Sequence, residues 1–297
     1  MIIDEQRRPR YWLAISLFLF SLWTTSAAGS RMVYNFDNSL PAFRFDPDAL
    51  ALLDSFFNLG ALLSGLSFSL PLLLILLAHE LGHYCACLYY QLDATLPYFL
   101  PAPTFIGTFG AFIRIRSIIY SRSVLFDVGV SGPIAGVVVL LPFLFFGVWL
   151  SHVAPDVASS GDLVFGTPIL IRFFENIFFP GVAPEAIYLH PMARAAWVGI
   201  FATALNLLPI GQLDGGHIVF SLTIRWAKRI SLAAIAILIP LGYWYPPWWG
   251  WALVLYFFGR RHPQIYDESP IDGRRRAVAV LALAIFILCF MSAPLRY

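Results

Sequence analysis

Leu72 to Tyr90 reads LLLILLAHELGHYCACLYY, with three ionisable residues, His79, Glu80 and His83, set inside a run otherwise as apolar as lipid. A charged residue deep in a membrane span costs at least ~2.5–3.5 kcal/mol, so such residues persist where a function or a partner compensates. The chain as a whole expects the same solvent. Of its 297 residues 59% are hydrophobic and 12% charged, with a mean hydropathy of +0.75, against ~25% charged in soluble domains. Its length is therefore best counted in spans of ~20 apolar residues. A net charge of +2 with no long basic run excludes a nucleic-acid partner.

Working outward, the span that carries the trio covers about Leu66 to Tyr89. A first apolar segment, Tyr11 to about Ala28, follows Arg7, Arg8 and Arg10. It reads either as a retained span or, given Ser26-Ala27-Ala28, as a cleaved signal peptide, and its length and aromatic content favour retention. Residues 31 to 60, with Asp37, Asp46, Asp48 and Asp54, read as an extracytoplasmic loop. Further spans are expected at about Val124 to Leu150, Ala195 to Leu208, Ile230 to Tyr243, Trp248 to Phe258 and Ala277 to Met291.

The expected fold is thus an all-α polytopic membrane protein of six to seven transmembrane helices. It forms a single domain over 1–297, with a core at about 66–225, an extra N-terminal span at 11–28 and extra C-terminal spans at about 230–291. Basic clusters at Arg7–Arg10, Arg114–Arg122, Arg225–Arg229, and Arg260–Arg261 with Arg274–Arg276 all fall on one face of this order, while Ser151 to Pro191 is acidic. Positive charge marks the cytoplasmic side, so the N-terminus and the His79–His83 turn are expected there.

His79-Glu80-Leu81-Gly82-His83 fits H-E-x-x-H. Residues four apart share one helix face, so both imidazoles can reach one ion while Glu80 addresses a water beside it. Cys85 and Cys87 point to different faces of the same helix and read as apolar packing. The lone cysteines indicate no disulfide framework. A third ligand should come from another intramembrane segment, and Asn206-Leu-Leu-Pro-Ile-Gly-Gln-Leu-Asp214-Gly-Gly-His217 offers Asp214, placed at the end of the fourth span among helix-breaking Pro209, Gly211, Gly215 and Gly216. Broken backbone at membrane depth is tolerated where it is buried or lines a wet cavity.

H-E-x-x-H in one span, joined to N-x-x-P and L-D-G-G in another, resembles the site-2 protease family of intramembrane zinc metalloproteases, in a compact bacterial-type form. The resemblance implies one Zn2+ per chain held by His79, His83 and Asp214, and Glu80 as general base. It further implies a transmembrane protein as substrate, a membrane-anchored regulator as partner, and residence in a bacterial inner (plasma) membrane.

Asn206 matches the asparagine of N-x-x-P and is read as a substrate or oxyanion contact, with a polar link between helices as the alternative. His217 reads as a supporting rather than a ligating histidine. Ser131-Gly132-Pro133-Ile134-Ala135-Gly136 reads as small-residue packing around the site. Pro97, Pro101 and Pro103 rule out a long helix after Tyr90, and the following β-formers predict a hairpin or re-entrant sheet whose Gly107, Thr108, Phe109 and Gly110 could pair with an unwound substrate strand.

Residues 151 to 191 are too few for the PDZ domain that many relatives carry. The rival readings are a membrane protease with a glutamate third ligand, a metal transporter, and a non-catalytic scaffold. Against the first, Glu175 and Glu185 fall on the opposite face. Against the second, the last spans carry almost no polar residues.

Overall fold

A computed structural model of the chain describes residues 11–158, 160–258, 265–267 and 269–296. Arg7, Arg8, Arg10, Arg260 and Arg261 lie outside the described residues. The molecule is mostly helical. Its first part holds α1 (Tyr11–Asp37), α2 (Phe45–Ser55), α3 (Leu59–Ser64) and α4 (Leu66–Tyr89), followed by a hairpin of β1 (Tyr98–Pro101) and β2 (Thr108–Phe112). Next come α5 (Arg122–Trp149), β3 (His152–Val153), α6 (Pro155–Ala158), β4 (Val164–Phe165), α7 (Ile169–Phe178) and β5 (Ile187–Tyr188). The chain closes with α8 (Pro191–Asn206), α9 (Asp214–Leu222), α10 (Ile224–Leu241), α11 (Pro247–Phe258), α12 (Gly273–Cys289) and β6 (Leu295–Arg296). The expected hairpin is present: β1 and β2 pair antiparallel, with Tyr98 opposite Phe112 and Pro101 opposite Thr108.

Among the described residues, α1, α4 and α5 are long and apolar enough to cross a membrane. They and α8 form the core, and they approach one another where side chains are smallest. A Cβ on Gly65 of the α3–α4 junction would lie 1.9 Å from the Ser26 carbonyl oxygen, one on Gly147 would lie 2.4 Å from the Ala193 nitrogen, and one on Gly199 would lie 2.7 Å from Ile75. Thr25 and Ser69 hydroxyls bond across the α1–α4 seam at 2.6 Å. Small residues let helix backbones meet where lipid supplies no hydrophobic drive between helices.

Several expected boundaries are corrected. α1 continues past Ala28 to Asp37, and residues 31 to 60 are largely helical rather than a loop. The aspartates there suggested solvent, but Asp48 is buried. Its carboxylate accepts from Arg31 at 2.9 Å, Asn35 at 3.0 Å and the Arg44 backbone N–H at 2.7 Å, tying α2 to α1. The fourth segment, expected over Ala195 to Leu208, is the α8 helix from Pro191 to Asn206, and Asp214 opens the next helix, α9, instead of ending that segment. The turn between them is fixed by Ser231, whose hydroxyl donates to the Pro209 carbonyl at 3.1 Å and accepts from the Gly211 N–H at 3.3 Å. Two helices begin before the spans expected from Ile230 and Ala277, so Arg225, Lys228 and Arg229 sit inside α10 and Arg274 to Arg276 in the first turn of α12.

The two ends of the bundle are closed by different contacts. At one end, the guanidinium of Arg122 caps α9 by donating to the Ser221 carbonyl at 2.6 and 2.9 Å and the Leu222 carbonyl at 3.0 Å. Arg275 of α12 grips Asp127 of α5 with two bonds of 2.9 and 2.6 Å, while the Tyr90 hydroxyl donates to the same carboxylate. The other end holds β3 paired with β5, β4 paired with β6, and α7. There Glu175 is 2% exposed, and burial pushes its carboxyl up to about 7, with Arg172 opposing. Because the folded state holds this proton more tightly than an ordinary carboxyl of value 4.5 does, its contribution to stability is full below that value and is lost as pH rises through 7. Melting of the detergent-solubilised protein is therefore expected to show a pH-dependent loss between pH 5 and 8 that Glu175→Gln diminishes.

Candidate metal centre

His79, Glu80 and His83 occupy the second half of α4, and all three are buried. The helix spacing brings the imidazoles together with their Nε2 atoms 3.2 Å apart. Asp214, at the start of α9, completes the group: its Oδ2 lies 3.2 Å from His79 Nε2 and 3.3 Å from His83 Nε2. Four ligands at ~2.0–2.1 Å in a tetrahedron stand ~3.3 Å apart, so these separations suit one zinc ion. The proton inventory points the same way. His83 Nδ1 lies 2.7 Å from the Val128 carbonyl oxygen, to which it donates, which leaves Nε2 of a neutral ring with a lone pair facing inward. Asp214 Oδ2 is buried and finds no hydrogen-bond partner. Converging lone pairs of this kind need a cation between them, and two imidazoles with one carboxylate are a ligand set zinc accepts. Among the described residues no other group of His, Cys, Asp and Glu side chains converges in this way.

α5 holds this face of α4 in place. A Cβ on Gly132 would lie 2.1 Å from His83 Nε2, one on Gly136 would lie 3.2 Å from His79 Cβ, and one on Gly82 would lie 2.5 Å from the Ser131 carbonyl oxygen. The Ser131–Gly136 stretch therefore admits the histidine rings as well as packing the helices. His217 lies one turn beyond Asp214 in α9, outside the converging trio. Cys85 is exposed, Cys87 and Cys289 are buried, and all three are free thiols.

A cleft of about 200 Å³ opens beside the trio, lined by His79 and Glu80, by Phe109, Gly110 and Ala111 of β2, by Thr203 and Asn206 of α8, and by Trp251 and Leu255 of α11. The Asn206 amide nitrogen reaches within 3.3 Å of His79 Nε2. Of the four residues expected to pair with a substrate strand, Phe109 and Gly110 reach the cleft. Gly107 instead presses on α1, where the Thr24 hydroxyl donates to its carbonyl at 2.6 Å, and Thr108 is buried, its hydroxyl donating to the Leu100 carbonyl at 2.8 Å. The edge of β2 opposite β1 is unpaired in its two-stranded sheet. Sequence reasoning missed the Val128 carbonyl, since any residue supplies one, and the α11 wall, since its helix is short.

Residues 67–244 match a family model described as Peptidase family M50. The chain is similar to the "Probable zinc metalloprotease EGY1, chloroplastic" of Arabidopsis thaliana, at 26% identity over 295 residues, 95% of this chain and 53% of the relative. It is similar to the same plant's "Probable zinc metalloprotease EGY2, chloroplastic" at 29% over 303 residues, 97% and 50%. The EGY2 of Oryza sativa subsp. indica is 31% identical over 186 residues, 61% and 33%. The chain spans about half the length of the first two of these curated relatives.

The fit at Gly132 is testable. Gly132→Ala is expected to displace the His83 ring and weaken zinc retention by about 10- to 100-fold, as loss of a ligand's support does. Gly250→Ala in α11, where an added methyl group meets nothing within 4 Å, is expected to leave zinc content unchanged. Metal analysis after graded chelation measures both.

Proposed function

The chain belongs to peptidase family M50, the family of the site-2 proteases, and from that membership we propose that it is an intramembrane zinc metalloendopeptidase cleaving peptide bonds within or near transmembrane segments of other membrane proteins. The observation that carries the reading is the convergence of His79 Nε2, His83 Nε2 and Asp214 Oδ2 beside a cleft lined by His79 and Glu80. Zinc at such a site lowers the pKa of water to about 7 and polarises a carbonyl. Glu80 takes the proton from the attacking water and delivers it to the amine nitrogen as the peptide C–N bond breaks. Asn206, on the same cleft wall, donates its amide N–H to the oxygen on which negative charge develops. The free edge of β2 at Phe109 and Gly110 pairs with the substrate backbone in extended form, because a scissile carbonyl still bonded within its own helix is not open to attack. His79 and His83 would hold the ion through Nε2, and the Val128 carbonyl keeps His83 in the tautomer that allows it.

The finer topology follows from the same proposal. α8, α10 and α12, with 16, 18 and 17 residues, and the shorter α11, with 12, bring the count to six or seven spans around one domain, core 66–225. The cationic side chains of Arg122 and Arg275 gathered at one end support a cytoplasmic orientation for the metal end, and a bacterial inner membrane is the proposed setting. The partners proposed are a single-span protein substrate and a membrane-anchored regulator. The transporter and scaffold readings gain no support from the single converging ligand cluster among the described residues.

Glu80→Gln is expected to retain stoichiometric zinc and to lose about 10²–10⁴-fold in cleavage rate, whereas Asp214→Ala is expected to lose zinc. Zinc analysis beside cleavage of a purified single-span substrate measures both, and full activity in Glu80→Gln would remove the proposal. In the same assay, a span carrying glycine or asparagine near the scissile bond should be cut faster than a polyleucine span.

A further inference from the structure

A second cavity, of about 310 Å³, lies at the opposite end of α8 from Asn206. Arg194 is in its wall, ~18 Å along the helix from Asn206 at 1.5 Å per residue, so it is separate from the metal cleft. Arg194 is 2% exposed, yet its Nη1 finds no hydrogen-bond partner. Its guanidinium is held over the Tyr188 ring at 4.7 Å and near the Phe165 ring at 5.9 Å. Those contacts orient the group but satisfy none of its N–H bonds, and a buried unsatisfied charged donor is among the more costly features a fold can keep.

Glu175, also 2% exposed, and Arg172 line the same space. Glu175 Oε2 and Arg172 Nη1 are likewise without hydrogen-bond partners and stand 3.9 Å apart. The wall is built rather than loose: Gly166, which lines it, donates its N–H to the Pro294 carbonyl at 2.7 Å and accepts from Trp197 Nε1 at 2.6 Å.

We propose that this cavity is a second, non-catalytic binding site that takes a small monocarboxylate with an apolar body, its carboxylate forked onto Arg194. A planar carboxylate matches the parallel N–H edges of a guanidinium. The apolar body has Phe165, Ile187 and Leu189 to lie against. Arg172 and Arg194 are balanced by Glu175 and the rim carboxylate of Glu185, so the site offers an unpaired guanidinium edge but no surplus of positive charge, which disfavours a dianionic phosphate. The inference does not depend on protease activity.

Benzoate is the probe, titrated by calorimetry into the purified full chain in detergent, with benzamide and inorganic phosphate in parallel. Saturable benzoate binding is expected, at least about tenfold weaker in Arg194→Gln, with no binding of benzamide and weaker binding of phosphate. Because Arg194→Gln removes a buried side chain, Thr167→Phe serves as a second variant: Thr167 is an exposed lining residue, and a bulky ring there should block benzoate while leaving the melting temperature near that of the wild type. Absent binding to the wild type, unchanged binding to both variants, or phosphate binding at least as tightly as benzoate would each overturn the proposal.

Discussion

The contact between α4 and α5 governs the rest of the molecule. Gly132 and Gly136 of α5 stand against the rings of His83 and His79, and the Val128 carbonyl of the same helix orients His83. Without that close approach the two histidines would have room to take other rotamers, and the orphaned carboxylate oxygen of Asp214 would face nothing in particular. Because the approach leaves no space for a Cβ, the ligand geometry is set by backbone packing, which is stiffer than any side-chain bond. The other helices then fall into place around it: α1 against the start of α4 through Ser26 and Gly65, and α8 against both through Gly147 and Gly199.

Function at membrane depth places a second demand on the fold, since a hydrolase in lipid needs a polar cleft whose walls carry no unsatisfied backbone. The break between α8 and α9 meets it. Seven residues from Leu207 to Leu213 leave the helical path, and the carbonyls they expose are covered by Gly215 and Gly216 packing directly beneath and by Ser231 from α10. Irregular backbone is tolerated there because protein, not lipid, surrounds it. The same break delivers Asp214 to the histidines and Asn206 to the cleft.

Much of this was legible in the sequence, and the parts that were not share a cause. The trio in α4, the break around Asp214 and the hairpin announce themselves through residues that are costly or rare in lipid. Helix ends and span number are less visible, because apolar runs continue through caps and because α8 is buried along nearly all its sides. Asp48 misled for a related reason: an aspartate signals solvent until its partners are known, and Arg31 and Asn35 lie on α1, a separate helix that the sequence alone does not bring near. The inward face of α1 was likewise hidden, since serines and threonines that bond their own helix backbone look no different from those facing water.

The ligand set of the metal centre is directly measurable. Zinc-edge X-ray absorption on the purified chain should find two imidazole nitrogens and oxygen ligands at about 2.0–2.2 Å with no sulfur neighbour. A zinc–sulfur shell at about 2.3 Å, drawn from Cys85 or Cys87, or a spectrum unchanged by Asp214→Asn, would contradict it.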